Sequence, residues 1–272
     1  MDSRTEVAIA VAQFAPGPDA SANRDEIAGL AALAAARRAR VVVFPEYSSW
    51  FAPEAGEGWL AAAEDVDGGP FTAALGRIAT ELGVHVVAGM LERRTDDPRR
   101  VSNTVVAVAP DAGVVARYRK LHLYDAFGQR ESEWVAPGEI AEPELFEAHG
   151  LRFGLQTCYD VRFPEVTRRI VDAGADVVMM PAEWVRGPLK EAHWRTLTTA
   201  RALENTVYVA AADHAPPVGA GNSMIVDPMG VEVATVGEET AVALAWVSRE
   251  RIDAVRRLNP ALALRRFRVV ER

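Results

Sequence analysis

One cysteine, Cys158, stands in a chain of 272 residues. That excludes an intramolecular disulfide framework and suits a reducing, cytoplasmic setting. No apolar run approaches the roughly 20 residues needed to cross a bilayer; the Ala-rich stretch 28–36 is short and closes on Arg37-Arg38. The opening residues, Met1-Asp2-Ser3-Arg4-Thr5-Glu6, lack the apolar core of a signal peptide. Positive charge is in deficit, with 30 Lys and Arg against 38 Asp and Glu and a net charge of −8. Such a balance argues against nucleic acid or an anionic membrane as a partner. His122, His193 and His214 show no metal-ligand spacing. Neither a Gly-x-Ser-x-Gly elbow nor a phosphate-cradling Gly-x-x-x-x-Gly-Lys loop occurs.

What is present is globular: 49% apolar and 25% charged residues. No linker or low-complexity segment divides the chain, so we read one α/β domain over 1–272 with a short C-terminal extension from about 249. Val7 to Phe14 and Val41 to Phe44 read as buried strands, separated by a helix over 20–40. A helix over 70–82, capped by Gly83, precedes a strand over 84–90 and a hairpin of 101–109 with 114–119. The segment from Lys120 to Glu139 has neither helical nor strand period, and loops of that length are usually functional. Beyond it come a strand at 151–157, a helix from Pro164 to Ala173, a strand at 176–180 and a long helix over 189–204. Strands at 207–212, on either side of Asp227-Pro228-Met229-Gly230 and at 241–247 follow, then a short helix at 251–258. Residues 39–46 weakly echo residues 175–183, since each pair is an apolar strand ending in Pro and then Glu. Two similar βα halves would give two sheets packed face to face with helices outside.

Four residues could do chemistry. Cys158 ends a strand just before a sharp turn and a helix, the way many enzymes hold a nucleophile off the end of a sheet. The nearby helix dipole would favour a thiolate; a lone Cys is equally at home as a small buried hydrophobe. Glu46 lies at the C-terminal end of a buried strand, where desolvation would raise its pKa towards that of a general base; a capping or salt-bridged role fits the position as well. Lys120 could polarise a carbonyl oxygen, and by default is a solvated charge. Glu131 reads most simply as a surface residue.

The set Phe44-Pro45-Glu46, Arg119-Lys120-Leu121-His122-Leu123, Arg130-Glu131-Ser132, Cys158-Tyr159-Asp160-Val161-Arg162-Phe163-Pro164-Glu165 and 221–230 (Gly-Asn-Ser-Met-Ile-Val-Asp-Pro-Met-Gly) resembles the nitrilase superfamily of carbon–nitrogen hydrolases. The match runs in order from Val7 to about Val247, and the form around the cysteine is similar to the branch holding ω-amidases and deaminated glutathione amidases. The resemblance implies a four-layer α-β-β-α sandwich, usually dimeric or of higher order, with no metal or organic cofactor. It implies that Glu46, Lys120 and Cys158 are the catalytic triad and that Glu131 is the family's second glutamate. The substrate it implies is a small amide carrying a carboxylate, like 2-oxoglutaramate or deaminated glutathione. Arg162 is then a candidate anchor, or else a salt-bridge partner of Asp160 or Glu165. Tyr159 is a further pocket candidate, as are Arg186 and the aromatics Tyr47, Trp50, Trp134 and Trp184, for which core or dimer packing is an equal alternative. The sequence departs from the branch at 125–129 and at Pro181-Ala182-Glu183-Trp184-Val185-Arg186, which puts the substrate in question. Competing readings are a nitrilase, which usually has Trp where Tyr159 stands, and an N-carbamoyl amino acid amidohydrolase, which tends to carry adjacent arginines after the cysteine. A catalytically silent interaction protein is the reading from another class, and such proteins typically lose a triad residue.

Overall fold

A computed structural model describes residues 6–272. The first half runs β1 (Glu6–Gln13), α1 (Ala20–Ala36), β2 (Val41–Val43), α2 (Glu57–Ala62), α3 (Pro70–Leu82), β3 (His85–Glu92), β4 (Val101–Ala109), β5 (Gly113–Arg119) and β6 (Val135–Ala136). The second runs β7 (Leu145–Ala148), β8 (Leu151–Leu155), α4 (Pro164–Asp172), β9 (Val177–Ala182), α5 (Lys190–Asn205), β10 (Tyr208–Asp213), β11 (Met224–Val226), β12 (Glu232–Thr235), β13 (Ala241–Ser248) and α6 (Arg249–Leu258). One sheet has the order β13-β1-β2-β3-β4-β5, with β6 beside β4; the other has the order β12-β11-β10-β9-β8-β7.

β2 and β9, central in their sheets, are apolar at every position because both of their faces are covered. On β1, Val7, Ile9 and Val11 join a core with Phe153, Leu155, Met179 and Ala210 of the other sheet. Ala10 and Ala12 face the opposite way, towards Ile27 and Leu30 of α1 and Phe71 and Leu75 of α3. The second sheet repeats this. Val178, Met180 and Val209 turn outward onto Val166 and Ile170 of α4 and Trp194 and Ala202 of α5. The result is the expected α-β-β-α sandwich.

The echo between residues 39–46 and 175–183 is a structural correspondence. β2 is flanked on both sides by parallel strands, β1 and β3, as β9 is by β8 and β10. Their C-terminal ends, the edge where open α/β sheets place chemistry, carry Glu46 and Glu183. Helix α1 stops short of the expected residue 40, and Arg38 takes φ +74° as the chain turns into β2. α2, β6 and β7 were not anticipated. β7 is a four-residue strand returned through His149 and Gly150, both at positive φ, too short to show a period.

Candidate active site

Glu46 is delivered by the bend after β2, and Gly89 allows the bend. A Cβ at Gly89 would lie 2.6 Å from the Glu46 Cα and 2.7 Å from the Tyr47 nitrogen, closer than any side chain can approach. The carboxylate is 1% exposed. Its Oε1 accepts from Asn103 Nδ2 at 2.6 Å and Lys120 Nζ at 3.0 Å, and its Oε2 accepts from the Glu183 N–H at 2.7 Å. Burial pushes Glu46 above the ordinary carboxylate range, partly offset by Lys120.

Lys120 follows β5, and a second glycine lets the long loop close over it. A Cβ at Gly138 would meet the Arg119 carbonyl at 2.5 Å, while the Gly138 N–H bonds the Lys120 carbonyl at 2.8 Å. The ammonium is 2% exposed and bridges two carboxylates, Glu46 at 3.0 Å and Glu131 at 2.9 Å. Burial alone would lower its pKa, but Glu131 and Glu46 outweigh that and raise it. Glu131 is no surface residue. It accepts from the Tyr47 hydroxyl and the Tyr124 N–H, each at 2.5 Å, and from Asn103 at 3.2 Å. Burial acts to raise Glu131, yet Lys120 and these donors hold it low. Of the two carboxylates sharing the lysine, Glu131 is therefore the one kept charged, and Glu46 is the more basic.

Cys158 sits at φ +44°, a left-handed conformation costly for a residue with a Cβ. It opens a short 3-10 turn, Cys158–Arg162, that leads into α4 at Pro164. The turn is fastened from below. The Thr157 hydroxyl donates to the Pro181 carbonyl at 2.8 Å, and Asp160 accepts from the Tyr118 hydroxyl at 2.7 Å and the His122 N–H at 3.0 Å. Asp160 thus ties β5, which leads into Lys120, to the turn bearing Cys158. The thiol is 5% exposed and donates to the Glu183 carbonyl at 3.4 Å. Glu183 links nucleophile and base directly: its carbonyl holds the sulfur and its N–H holds Glu46.

One electrostatic expectation is corrected. Burial, then the charge of Glu46, pushes the Cys158 thiol well up, and Lys120 offsets only part of this. The lysine is already committed to two carboxylates, and the turn after Cys158 has no long helix dipole of its own. The resting group is a thiol.

The outer wall is aromatic and cationic. Arg162 lies 4.9 Å from the Trp184 ring and 5.9 Å from the Tyr159 ring. Its pairing with Asp160, an alternative in the sequence, does not occur, because Asp160 is taken by Tyr118 and His122. Tyr47 contributes its hydroxyl to Glu131 and its ring to a stack with Phe51 and a tilted contact with Trp59. Trp134, half-buried, is tied through its N–H to the Glu131 carbonyl at 3.1 Å. Arg186 is exposed and engaged with Glu238 at 2.7 Å and Glu191 at 3.8 Å.

Sequence reasoning missed Asn103, Glu183 and Lys190. Asn103 had a signal, since Ser102-Asn103-Thr104 interrupts an otherwise apolar strand. Glu183 was visible only as a departure from a familiar pattern. Its Oε1 is buried without a partner, and burial and the neighbouring Glu46 push its carboxyl well above the usual range.

His214 supports the site as a structural donor. Its Nε2–H reaches the Glu46 carbonyl at 2.6 Å, and burial lowers its pKa from 6.5 to about 4. Because the unfolded chain binds a proton there that the folded chain refuses, stability falls as pH drops from 6.5 towards 4. The loss reaches about 3 kcal/mol over that window. Urea unfolding at pH 7 and pH 5 should show a shallower pH dependence in His214→Gln than in the parent.

The fold and the site define a hydrolase acting on carbon–nitrogen bonds, with a cysteine, two glutamates and a lysine gathered at the shared edge of two sheets. The chain belongs to the carbon-nitrogen hydrolase family, whose model matches residues 8–257. It is similar to a deaminated glutathione amidase of Escherichia coli O157:H7, 44% identical over 71% of this chain and 73% of that one. It is also similar to the omega-amidase NIT2 of Xenopus tropicalis, 30% identical over 95% and 94%. Among solved structures, Saccharomyces cerevisiae Nit3, a nitrilase-superfamily member, superposes with a TM-score of 0.86 at 26% identity, over 97% of this chain and 98% of that one.

Proposed function

We propose that this amidase hydrolyses the terminal amide of a small carboxylate-bearing molecule, resembling 2-oxoglutaramate or deaminated glutathione, to acid and ammonia through a thioester on Cys158. Glu46 takes the proton from Sγ as sulfur attacks the amide carbon. The oxyanion is met by Lys120 Nζ and the Tyr159 N–H. Glu46 then returns the proton to the nitrogen, the C–N bond breaks and ammonia leaves. Water, deprotonated by Glu46, attacks the thioester; the acid departs and the thiol is restored. Glu131 keeps Lys120 charged and aimed.

The observation carrying this reading is that Cys158 and Glu46 are held by the backbone C=O and N–H of a single residue, Glu183, with Lys120 bonded to the same Glu46 oxygen as Asn103. Burial raises both the thiol and the Glu46 carboxylate, which makes Glu46 a stronger base than an ordinary carboxylate for taking the thiol proton. The names of the two relatives support the substrate class, as does Arg162, a cation at the site with no carboxylate partner among the described residues. Ammonia release should be measured from 2-oxoglutaramate, deaminated glutathione, a simple nitrile and an N-carbamoyl amino acid. Turnover confined to the last two would overturn the proposal, and so would intact-mass spectra lacking an acyl adduct on Cys158 during turnover of the first two.

A further inference from the structure

The chain holds only two lysines, Lys120 and Lys190, among its 30 Lys and Arg. Arginine serves everywhere else a cation is used, and both lysines converge on the same site. Lys190 opens helix α5, straight after Leu189 at φ +62°. Its carbonyl accepts the Trp184 Nε1–H at 2.7 Å, which fixes its backbone against the wall of the site. The side chain then crosses that wall. Its Nζ stands 4.5 Å from the Trp184 ring centre, 4.9 Å from Tyr124 and 5.2 Å from Phe127, and 3.1 Å from the Tyr124 hydroxyl.

Lys190 is 6% exposed, yet among the described residues no carboxylate lies within 4.0 Å of it. Lys120, equally buried, has two. A buried cation without a counter-charge is unfavourable, and aromatic faces compensate only in part. Burial, with Arg162 nearby, lowers the Lys190 pKa. Arg162 shares the Trp184 ring with it, also lacks a carboxylate partner, and has a buried Nε with no acceptor. Two cations on one indole repel each other unless something negative joins them.

We propose that Lys190 is a specificity-determining residue, forming with Arg162 a two-cation seat on Trp184 that holds the carboxylate of a linear substrate whose amide end lies at Cys158. The proposal rests on the amidase reading above and names the residue that selects charge. It predicts that discrimination between charged and neutral amides resides in Lys190 and acts mainly through KM.

The test compares succinamate with butyramide, two primary amides of the same chain length, of which only the first bears a carboxylate. In the wild type, kcat/KM favours succinamate. In Lys190→Met that preference falls about 10–100-fold, through KM more than kcat, as expected for one lost charge-assisted contact. Competitive inhibition by succinate weakens by a similar factor, and Lys190→Arg restores part of both effects. A purely structural lysine would depress both amides alike and leave the ratio unmoved, which would overturn the proposal. A wild type indifferent to the carboxylate would overturn both this and the substrate class proposed above. A wild type that prefers succinamate beside a Lys190→Met that still prefers it would overturn the role of Lys190 alone. Lys190→Gln, which keeps a donor for Tyr124, gives the same readout where Lys190→Met folds poorly.

Discussion

Cys158→Ala is expected to lose at least about 10⁴-fold in amide turnover while melting within a few degrees of the parent. The loss is of the size seen when a covalent nucleophile is removed from a set that acts as a unit. Nothing nearby can replace the sulfur, because Ser48, Ser49 and Thr157 are committed elsewhere: the Ser48 hydroxyl to the Pro45 carbonyl, the Ser49 hydroxyl to the Leu91 N–H, and the Thr157 hydroxyl to the Pro181 carbonyl. The fold has little to lose. The thiol makes one long hydrogen bond, at 3.4 Å, and its ionised form is disfavoured by burial and by Glu46. Alanine keeps the Cβ, so the strained φ of +44° is neither relieved nor worsened. Ammonia release and thermal melting of the same preparation check the pair of expectations. Activity above about one per cent of the parent would remove Cys158 from the mechanism.

How far the sequence could be read depended on the distance over which each feature is determined. β1, β2 and β9 announce themselves as unbroken apolar runs because both faces are buried. α3 was legible to the residue, since Pro70 sets its first turn and Gly83, at φ +64°, ends it. β7 and α2 are too short to show a period. The site is different in kind. Lys120 and Glu131 look like solvated loop charges, and only β2, β4 and the closure over Gly138 bury them. Neighbours in sequence said nothing of this, so the triad could be named only by resemblance. The local reading of the cysteine also misled in one respect. The helix dipole suggested a thiolate, but burial first, and then the carboxyl groups of Glu46, Glu183 and Glu131, raise the Cys158 thiol, and Lys120 offsets only part of this. Glu183 enters that balance through a loop where the sequence departs from its relatives, and no spacing rule would have placed it beside the sulfur.

Lys120→Met should cost both activity and stability, and the stability loss should depend on pH in an unusual range. The ammonium is the one cation that joins Glu46 and Glu131, at 3.0 and 2.9 Å, in surroundings nearly closed to water. Methionine fills the volume but leaves two buried carboxylates facing one another, a defect of about 3–5 kcal/mol at neutral pH. For a chain of this size that is a Tm lowered on the order of 10 °C. Glu131, now held below 4.5 largely by Lys120, would rise above it, and Glu46 would rise further. A carboxylate whose folded pKa exceeds its unfolded value stabilises below the unfolded value and loses that contribution as pH rises through the folded one. The deficit of Lys120→Met against the parent should therefore shrink at pH 5 and widen at pH 8, a range over which an ordinary broken salt bridge on the surface, its carboxylate ionised throughout, would show little change. Adding Glu131→Gln should recover part of the stability, since one of the two opposed charges is gone, without recovering turnover, since no ammonium remains to meet the oxyanion. Urea titrations at the two pH values check this. A deficit independent of pH would mean that Lys120 holds the site by packing, and that the charge balance among Glu46, Glu131 and Cys158 is set by some other group.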